Sequence, residues 1–252
     1  MTDELKSQGL LRSLDPHRLI DQQQKDNVAG FFLVLALYYN DLKSLLYHYN
    51  RTNEDFEGTS SEDISIQAGE FGGIRAHLLR LMASTVFEFL EFLKTNRSVL
   101  GTAEFRLVYE SLNRNLKEQW NLIVQIASKG SSDVKSDFSS ALMLVRNNLG
   151  FHYNQSSKAL TQAFIDHFFK DQKNISNEKA YFSDGTKMKD VRFFYSDAAA
   201  QRAVISQAQK KLVSADEYYE KLMALIKMTN FTIMQLLKRY LKQRPPYDSL
   251  NG

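Results

Sequence analysis

Residues that break helices are scarce in this chain: three prolines and 11 glycines among 252 residues. A backbone with so few interruptions is biased toward long helices and away from a strand-and-turn fold. Apolar side chains recur at helical spacing. Ile74, Leu78, Leu81, Met82, Thr85, Val86, Phe89, Leu90 and Leu93 form one stripe, with His77, Arg80, Ser84, Glu88 and Glu91 on the opposite face. Near the C-terminus, Tyr218, Leu222, Leu225, Ile226, Ile233, Leu236, Leu237 and Tyr240 form another. That helix opens with Ser214 and Glu217 at capping-box spacing, and Pro245-Pro246 stops it. The pattern predicts an all-α fold: one multi-helix, bundle-like domain over residues 1–252, with a frayed N-terminus (about 1–14) and C-terminal tail (about 245–252). With 17 Phe and 12 Tyr, the core can be thick.

Further elements follow from the same rules. A long helix is expected from about Gln22 to Tyr49, apolar nearly all round at Phe31–Leu37 as a central helix would be, then a polar loop from Arg51 to Ser61. Ser60 and Glu62-Asp63 suit the start of the next helix. Gly72-Gly73 either admits a close neighbour or kinks that helix. Gly101-Thr102 breaks the chain, and one helix or a pair spans Ala103 to Ser128. After a turn at Lys129–Ser132, Val134, Phe138, Ala141, Leu142, Val145 and Leu149 mark another helix. Ser156-Ser157 reads as the cap of the next, whose stripe is Leu160, Ala163, Phe164, His167 and Phe168. Ala180–Phe182 and Val191–Tyr195 suit a short β-hairpin around Ser183–Lys189.

Several function classes drop out. Cysteine is absent, which removes disulfides, thiol catalysis and Cys-ligated zinc. No Glu-x-x-His or His-x3-His pair occurs, so no metal site is expected; no phosphate-binding Gly loop or nucleophile elbow occurs either, and no cofactor is expected. Met1-Thr2-Asp3-Glu4 is acidic and lacks the apolar run of a signal peptide. The greasiest run, Phe31–Tyr39, is far short of the ~20 residues a membrane span needs. A cytoplasmic protein without a membrane partner is therefore expected. Net charge is +3, too small to imply nucleic acid alone.

Polar chemistry concentrates in Arg146-Asn147-Asn148-Leu149-Gly150-Phe151-His152-Tyr153-Asn154. On a helical wheel Leu142, Val145 and Leu149 centre the buried stripe and Arg146 lies on its edge. A straight helix would hold Arg146 and His152 about 120° apart. A bend or stop near Gly150 could gather them around one cavity, as could a second copy of the chain. Arg suits a phosphate and His exchanges protons near neutral pH. Asn147 could orient either group or bind a ribose hydroxyl, and Tyr153 could stack or donate a hydrogen bond. Together these groups could cleave RNA without metal.

This segment resembles the motif of the HEPN superfamily, helical domains that include many prokaryotic toxin and defence ribonucleases. The family pattern is an Arg, a polar residue, then a His a few residues on. Arg146, Asn147 and His152 match it, with five residues between Arg and His. A toxin subgroup carries a Tyr two residues beyond the His, whereas Tyr153 is adjacent to it. The resemblance implies an HEPN-like core with added helices, Arg146 and His152 as catalytic residues, Asn147 and Tyr153 in support, RNA as substrate and a homodimeric site. A protein partner or antitoxin would accompany such a toxin. The chain is also similar to uncharacterised bacterial helical proteins with an Arg-Asn…Phe-His-Tyr signature and a later aromatic-aromatic-Ser/Ala-Asp segment, matched by Phe194-Tyr195-Ser196-Asp197.

A plainer reading stands beside this one. Arg146 and His152 could tie a helix end to its neighbour, leaving a non-catalytic helical interaction module. His167 lies in an apolar stripe, and His17, His48 and His77 suit surface positions. Lys238, Arg239, Lys242 and Arg244, interleaved with Tyr240, could meet a nucleic-acid backbone. Cations at a helix C-terminus equally suit the dipole, and that reading is the commoner one for such a run.

Overall fold

The computed structural model describes residues 12–14, 27–57, 65–129, 142, 153–170, 180–184, 186–187, 191–210, 214–243 and 247–249. The described fold is all-α. Its helices are α1 (Asn27–Glu57), α2 (Ile66–Thr95), α3 (Ala103–Glu110), α4 (Arg114–Lys129), α5 (Tyr153–Ile165), α6 (Phe194–Lys210) and α7 (Ala215–Lys242). A 3-10 turn, Val99–Gly101, precedes α3, and a π turn, Asp166–Lys170, extends α5. Two three-residue strands, β1 (Arg12–Leu14) and β2 (Tyr247–Ser249), pair antiparallel and join segments near the two ends of the chain.

Helix α1 runs on to Glu57, through residues expected to form a loop. Local polar contacts favour the extension: Arg51 pairs with Glu54 at 3.2 Å and Asp55 at 3.5 Å, and the Thr52 hydroxyl donates to the His48 carbonyl at 2.8 Å. Nor is α1 the central helix. It buries Phe31, Phe32, Leu35, Tyr38 and Leu42, while Leu33, Val34 and Leu37 face outward. By length and composition alone Val28–Asp55 could cross a membrane; here its inner face packs on α2 and α7.

The centre belongs to α2 and α7. Helix α2 is packed by α1, α4, α6 and α7, and α7 by α1, α2, α3, α4 and α6. Helix α2 starts at Ile66, later than expected, because Ser65 is the cap: its hydroxyl accepts from the Ala68 amide at 3.1 Å. Surrounded this way, α2 also buries Ser84, which the periodicity assigns to the solvent face. Thr102 caps α3 after the break at Gly101, so 103–128 forms a pair of helices. Ser214 caps α7 by accepting from the Glu217 amide at 3.1 Å. The Lys221 ammonium, and secondarily the Ser214 amide, hold the Glu217 carboxyl below its ordinary value.

Aromatic rings fill the core. Phe32 stacks on Tyr240 at 3.8 Å, Tyr38 on Phe89 at 4.1 Å, and Phe105 meets Trp120 at 5.7 Å. Two polar ties cross it: a buried one from Tyr38 to Thr229 at 3.4 Å, and a half-buried one, the Thr232 hydroxyl donating to Gln119 at 3.0 Å. The phenols of Tyr38 and Tyr218 are pushed upward by burial.

Helices α5 and α6 form a flank. They pack along each other, and α6 docks onto α2 and α7. Helix α5 already runs through Ser156 and Ser157, so these serines are not its cap. Among the described residues the expected hairpin is reduced to one antiparallel bridge between Ser183 and Arg192. Phe194 and Tyr195 belong to α6 instead of a strand.

Candidate functional site

Arg146, Asn147, His152 and Arg244 lie outside the described residues, as does the expected bend near Gly150. What is described brackets the motif. Leu142, four residues before Arg146, is helical and fully buried in the main core. Tyr153, directly after His152, is the first residue of α5.

The basic C-terminal run resolves into separate surroundings. Lys238 and Lys242 are exposed on one face of α7, and Arg239 is half-buried. Tyr240 turns inward and stacks on Phe32, so this aromatic has no face for a nucleobase. The lysines suit the C-terminal end of the helix dipole.

The most organised polar cluster of the described residues is a clasp between α2 and the start of α6. Arg192 donates from Nη1 to Glu70 Oε1 at 2.6 Å and from Nε to Asp197 Oδ2 at 2.9 Å. Its backbone is fixed as well: the Arg192 amide donates to Ser183 Oγ at 2.7 Å, and the Ser183 amide donates to the Arg192 carbonyl at 2.8 Å. The Tyr195 amide donates to the Tyr181 carbonyl at 3.1 Å. Arg192 and Asp197 keep 21% and 25% of their side-chain surface in solvent, and Glu70 42%, so screening is weaker than for more exposed pairs such as Arg114–Glu118. Burial works against the Arg192 charge, but the Asp197 and Glu70 carboxylates outweigh it and hold the guanidinium above its ordinary value.

Two glycines admit this clasp. A Cβ on Gly69 would lie 2.7 Å from the Phe194 ring. A Cβ on Gly73 would collide with the Arg192 guanidinium and lie 2.6 Å from Asp197 Oδ2. Gly72 faces open space, and α2 continues unbroken through all three. The glycines therefore serve close approach, and the pair that does so is Gly69 and Gly73. One turn on, His77 is exposed. Loss of water around its ring, then the Arg80 charge, pull it below its ordinary value, while Asp197 pulls the other way.

With Arg192 matched by two carboxylates, this cluster fastens helices and carries no spare positive charge for a phosphate. Among the described residues no group of three or more His, Asp or Glu could hold a metal ion. Sequence reasoning missed the clasp. Its signal was the Gly69-x3-Gly73 spacing together with Asp197 in the quoted aromatic-aromatic-Ser-Asp segment.

Beside the clasp lies an aromatic surface. Phe164 packs against Phe168 at 4.4 Å and Tyr195 at 6.3 Å, and His167 meets Phe168 edge-on at 4.6 Å. Phe169, Tyr181, Phe182 and Phe193 are exposed around it. No family model matches the chain, and no similar curated protein or solved structure was found.

Proposed function

We propose that the chain is an HEPN-like, metal-independent endoribonuclease, a toxin or defence effector acting in the cytoplasm as a homodimer and restrained by a protein partner. The observation that carries this reading is the Arg146-Asn147-x4-His152 motif, set between a core-anchored Leu142 and the start of α5 in an all-helical fold. In the proposed step His152 accepts the proton of a ribose 2′-hydroxyl, and the 2′-oxygen forms a bond to the adjacent phosphorus. The bond from phosphorus to the 5′-oxygen breaks, and that oxygen takes a proton from imidazolium or water. Arg146 stabilises the charge on the phosphorane. Asn147 and Tyr153 support the two catalytic side chains. Products are a 2′,3′-cyclic phosphate and a 5′-hydroxyl end.

The test is RNA cleavage in EDTA by wild type, Arg146→Ala and His152→Ala. Removing either group should lower the rate by at least about 100-fold with folding intact. Wild-type chain that cleaves none of several RNAs at high concentration refutes the proposal. A second reading, a non-catalytic interaction module, is favoured by the exposed rings of Phe169, Phe182 and Phe193. That reading expects both variants to retain whatever partner binding the wild type has.

A further inference from the structure

We infer that the outward face of α7 binds a single-stranded polynucleotide, with Lys227, Lys238 and Lys242 on its phosphates and Phe231 stacked on one unpaired base. Under the ribonuclease reading, on which the choice of RNA rests, this face holds the substrate. At about 100° per residue the four side chains fall within about 60° of one another around the helix. The opposite side carries Thr229, Ile233 and Tyr240, all buried. Lys227, Lys238 and Lys242 are exposed, and Phe231 keeps 51% of its surface in solvent.

The charge on this face is uncompensated. From Lys221 to Gln243 the sequence carries five cations and no carboxylate. Arg51, Lys94, Arg114 and Lys221 each pair with an acid three or four residues away. No residue three or four positions from Lys227, Lys238 or Lys242 is acidic, and among the described residues none of the three forms an ion pair. The helix dipole favours cations in the last turn, where Lys242 lies. It gives no reason for Lys227 and Phe231, about three to four turns earlier.

A line of cations with an aromatic ring in its middle suits a single strand. Ammonium groups replace the counterions of the phosphates, and an exposed ring stacks on any base with a free face. Lys227 and Lys242 lie about 22 Å apart along the helix, room for several nucleotides. Bases in a duplex are already stacked on both sides, so Phe231 selects unpaired ones. Tyr240, the aromatic inside the basic run, is taken up by Phe32 in the core, and Phe231 fills the part. A lipid surface fits less well. Helices that lie in a membrane bury a broad apolar face, whereas Phe231 is the one large apolar side chain exposed on α7 among the described residues.

The test uses the full chain and a fluorescein-labelled strand of about 12 nucleotides of 2′-O-methyl RNA, which lacks the free 2′-hydroxyl that cleavage needs. Single-stranded DNA and a duplex of the same sequence are titrated alongside. Kd is read by anisotropy between about 50 and 200 mM salt. Phe231→Ala should weaken strand binding by about five-fold or more, and Phe231→Trp should restore it. Combined Lys227→Gln, Lys238→Gln and Lys242→Gln should lower the slope of log Kd against log salt by about 2, at about 0.7 per phosphate contact. Combined Arg51→Gln, Lys94→Gln and Arg114→Gln removes the same charge from paired positions and should leave the slope within about 0.5 of wild type. All six cations and Phe231 are exposed, and thermal unfolding checks that each variant folds.

A wild-type chain that binds neither strand at the lowest salt overturns the inference. So do Phe231 and lysine variants that bind as wild type does, and a duplex bound as tightly as the strand. An equal loss of slope in the Arg51, Lys94 and Arg114 control overturns it by making the attraction a property of net charge. Binding to vesicles of phosphatidylcholine and phosphatidylserine that depends on Phe231, without strand binding, overturns it in favour of a membrane. The ribonuclease reading fails separately. A chain that binds the strand through α7 yet cleaves no RNA loses that reading and keeps this site. A chain that cleaves RNA with KM unaffected by either set of α7 variants keeps the reading and loses the site.

Discussion

The core and the flank of this protein are built on different principles. Around α1, α2, α4 and α7 the contacts are large and apolar: Phe32 on Tyr240, Tyr38 on Phe89, Phe105 against Trp120. Such contacts are non-directional and numerous, so their sum resists the loss of any one. The α5–α6 flank reaches that core through Ala163, Ala203 and Val204, and one polar clasp fastens it. Its larger aromatics, Phe169, Phe182 and Phe193, remain outside. A region held by a few directional contacts should open at lower free energy than one held by many. The seating of the flank is therefore the more adjustable property of the fold.

The core depends most on Phe32, which is 2% exposed and lies between Tyr240 and Phe105. Phe32→Ala should cost about 3–5 kcal/mol in thermal or denaturant unfolding, with core and flank lost together. A loss below about 1 kcal/mol would mean that the core is not the dominant cooperative unit. The next largest effect is expected at the glycines. Gly73→Ala drives a methyl group into Arg192 and Asp197, an overpacking that should cost about 1–3 kcal/mol. Amide exchange should quicken in α5 and α6 before α1 and α7. Gly72→Ala, one residue away and facing open space, should stabilise by about 0.5–1 kcal/mol through helix propensity. Equal effects at the two positions would dissolve the distinction between clasp and open face. Phe193→Ala makes the sharpest control for Phe32: the ring is 52% exposed, and the change should stay within about 0.5 kcal/mol. Its expected readout is instead weaker self-association or partner capture at unchanged stability.

The same division explains what could be read from the sequence. The α2 and α7 stripes predicted Leu78, Met82, Val86, Leu222, Ile226 and Tyr240 as core, and these are buried. Periodicity registers burial that repeats every turn. It does not register which of two apolar helices lies deeper. The run Phe31–Leu37 therefore suggested a central α1, although Leu33, Val34 and Leu37 face outward. Nor does it carry pairings between distant positions. Glu70 and Arg192 are far apart in the chain, and each alone is an ordinary charged residue. Gly73 offered the better clue, but a glycine in a helix signals close approach without saying what approaches. The boundary at Ser65, in place of Ser60, shows the same limit on a smaller scale, since several residues nearby could cap and packing selects among them. The candidate catalytic residues Arg146 and His152 were legible as a motif only, because a motif specifies residue types and spacing and leaves their relative orientation to the surrounding fold.

His77 offers the finest probe of the flank. Its ring is exposed on the α2 face beside the clasp, and lost hydration, then Arg80, lower its basicity, with Arg192 adding to this and Asp197 opposing it. In the window from the ordinary value of 6.5 down to the lowered folded value, the unfolded chain binds more protons at His77 than the folded chain. Folding stability from this group is therefore fully present above 6.5 and falls as pH drops through that window; below the folded value there is no further loss. Amide protection in α6, measured relative to the intrinsic exchange rate at each pH, should fall on acidification from pH 6.5 to about pH 5, and His77→Gln should flatten that part of the profile. Protection around Phe32 should change less, because the ring has no titratable group and its contacts are aromatic. A His77→Gln profile as steep as wild type would assign the acid response to other groups and remove His77 from the electrostatics of the clasp.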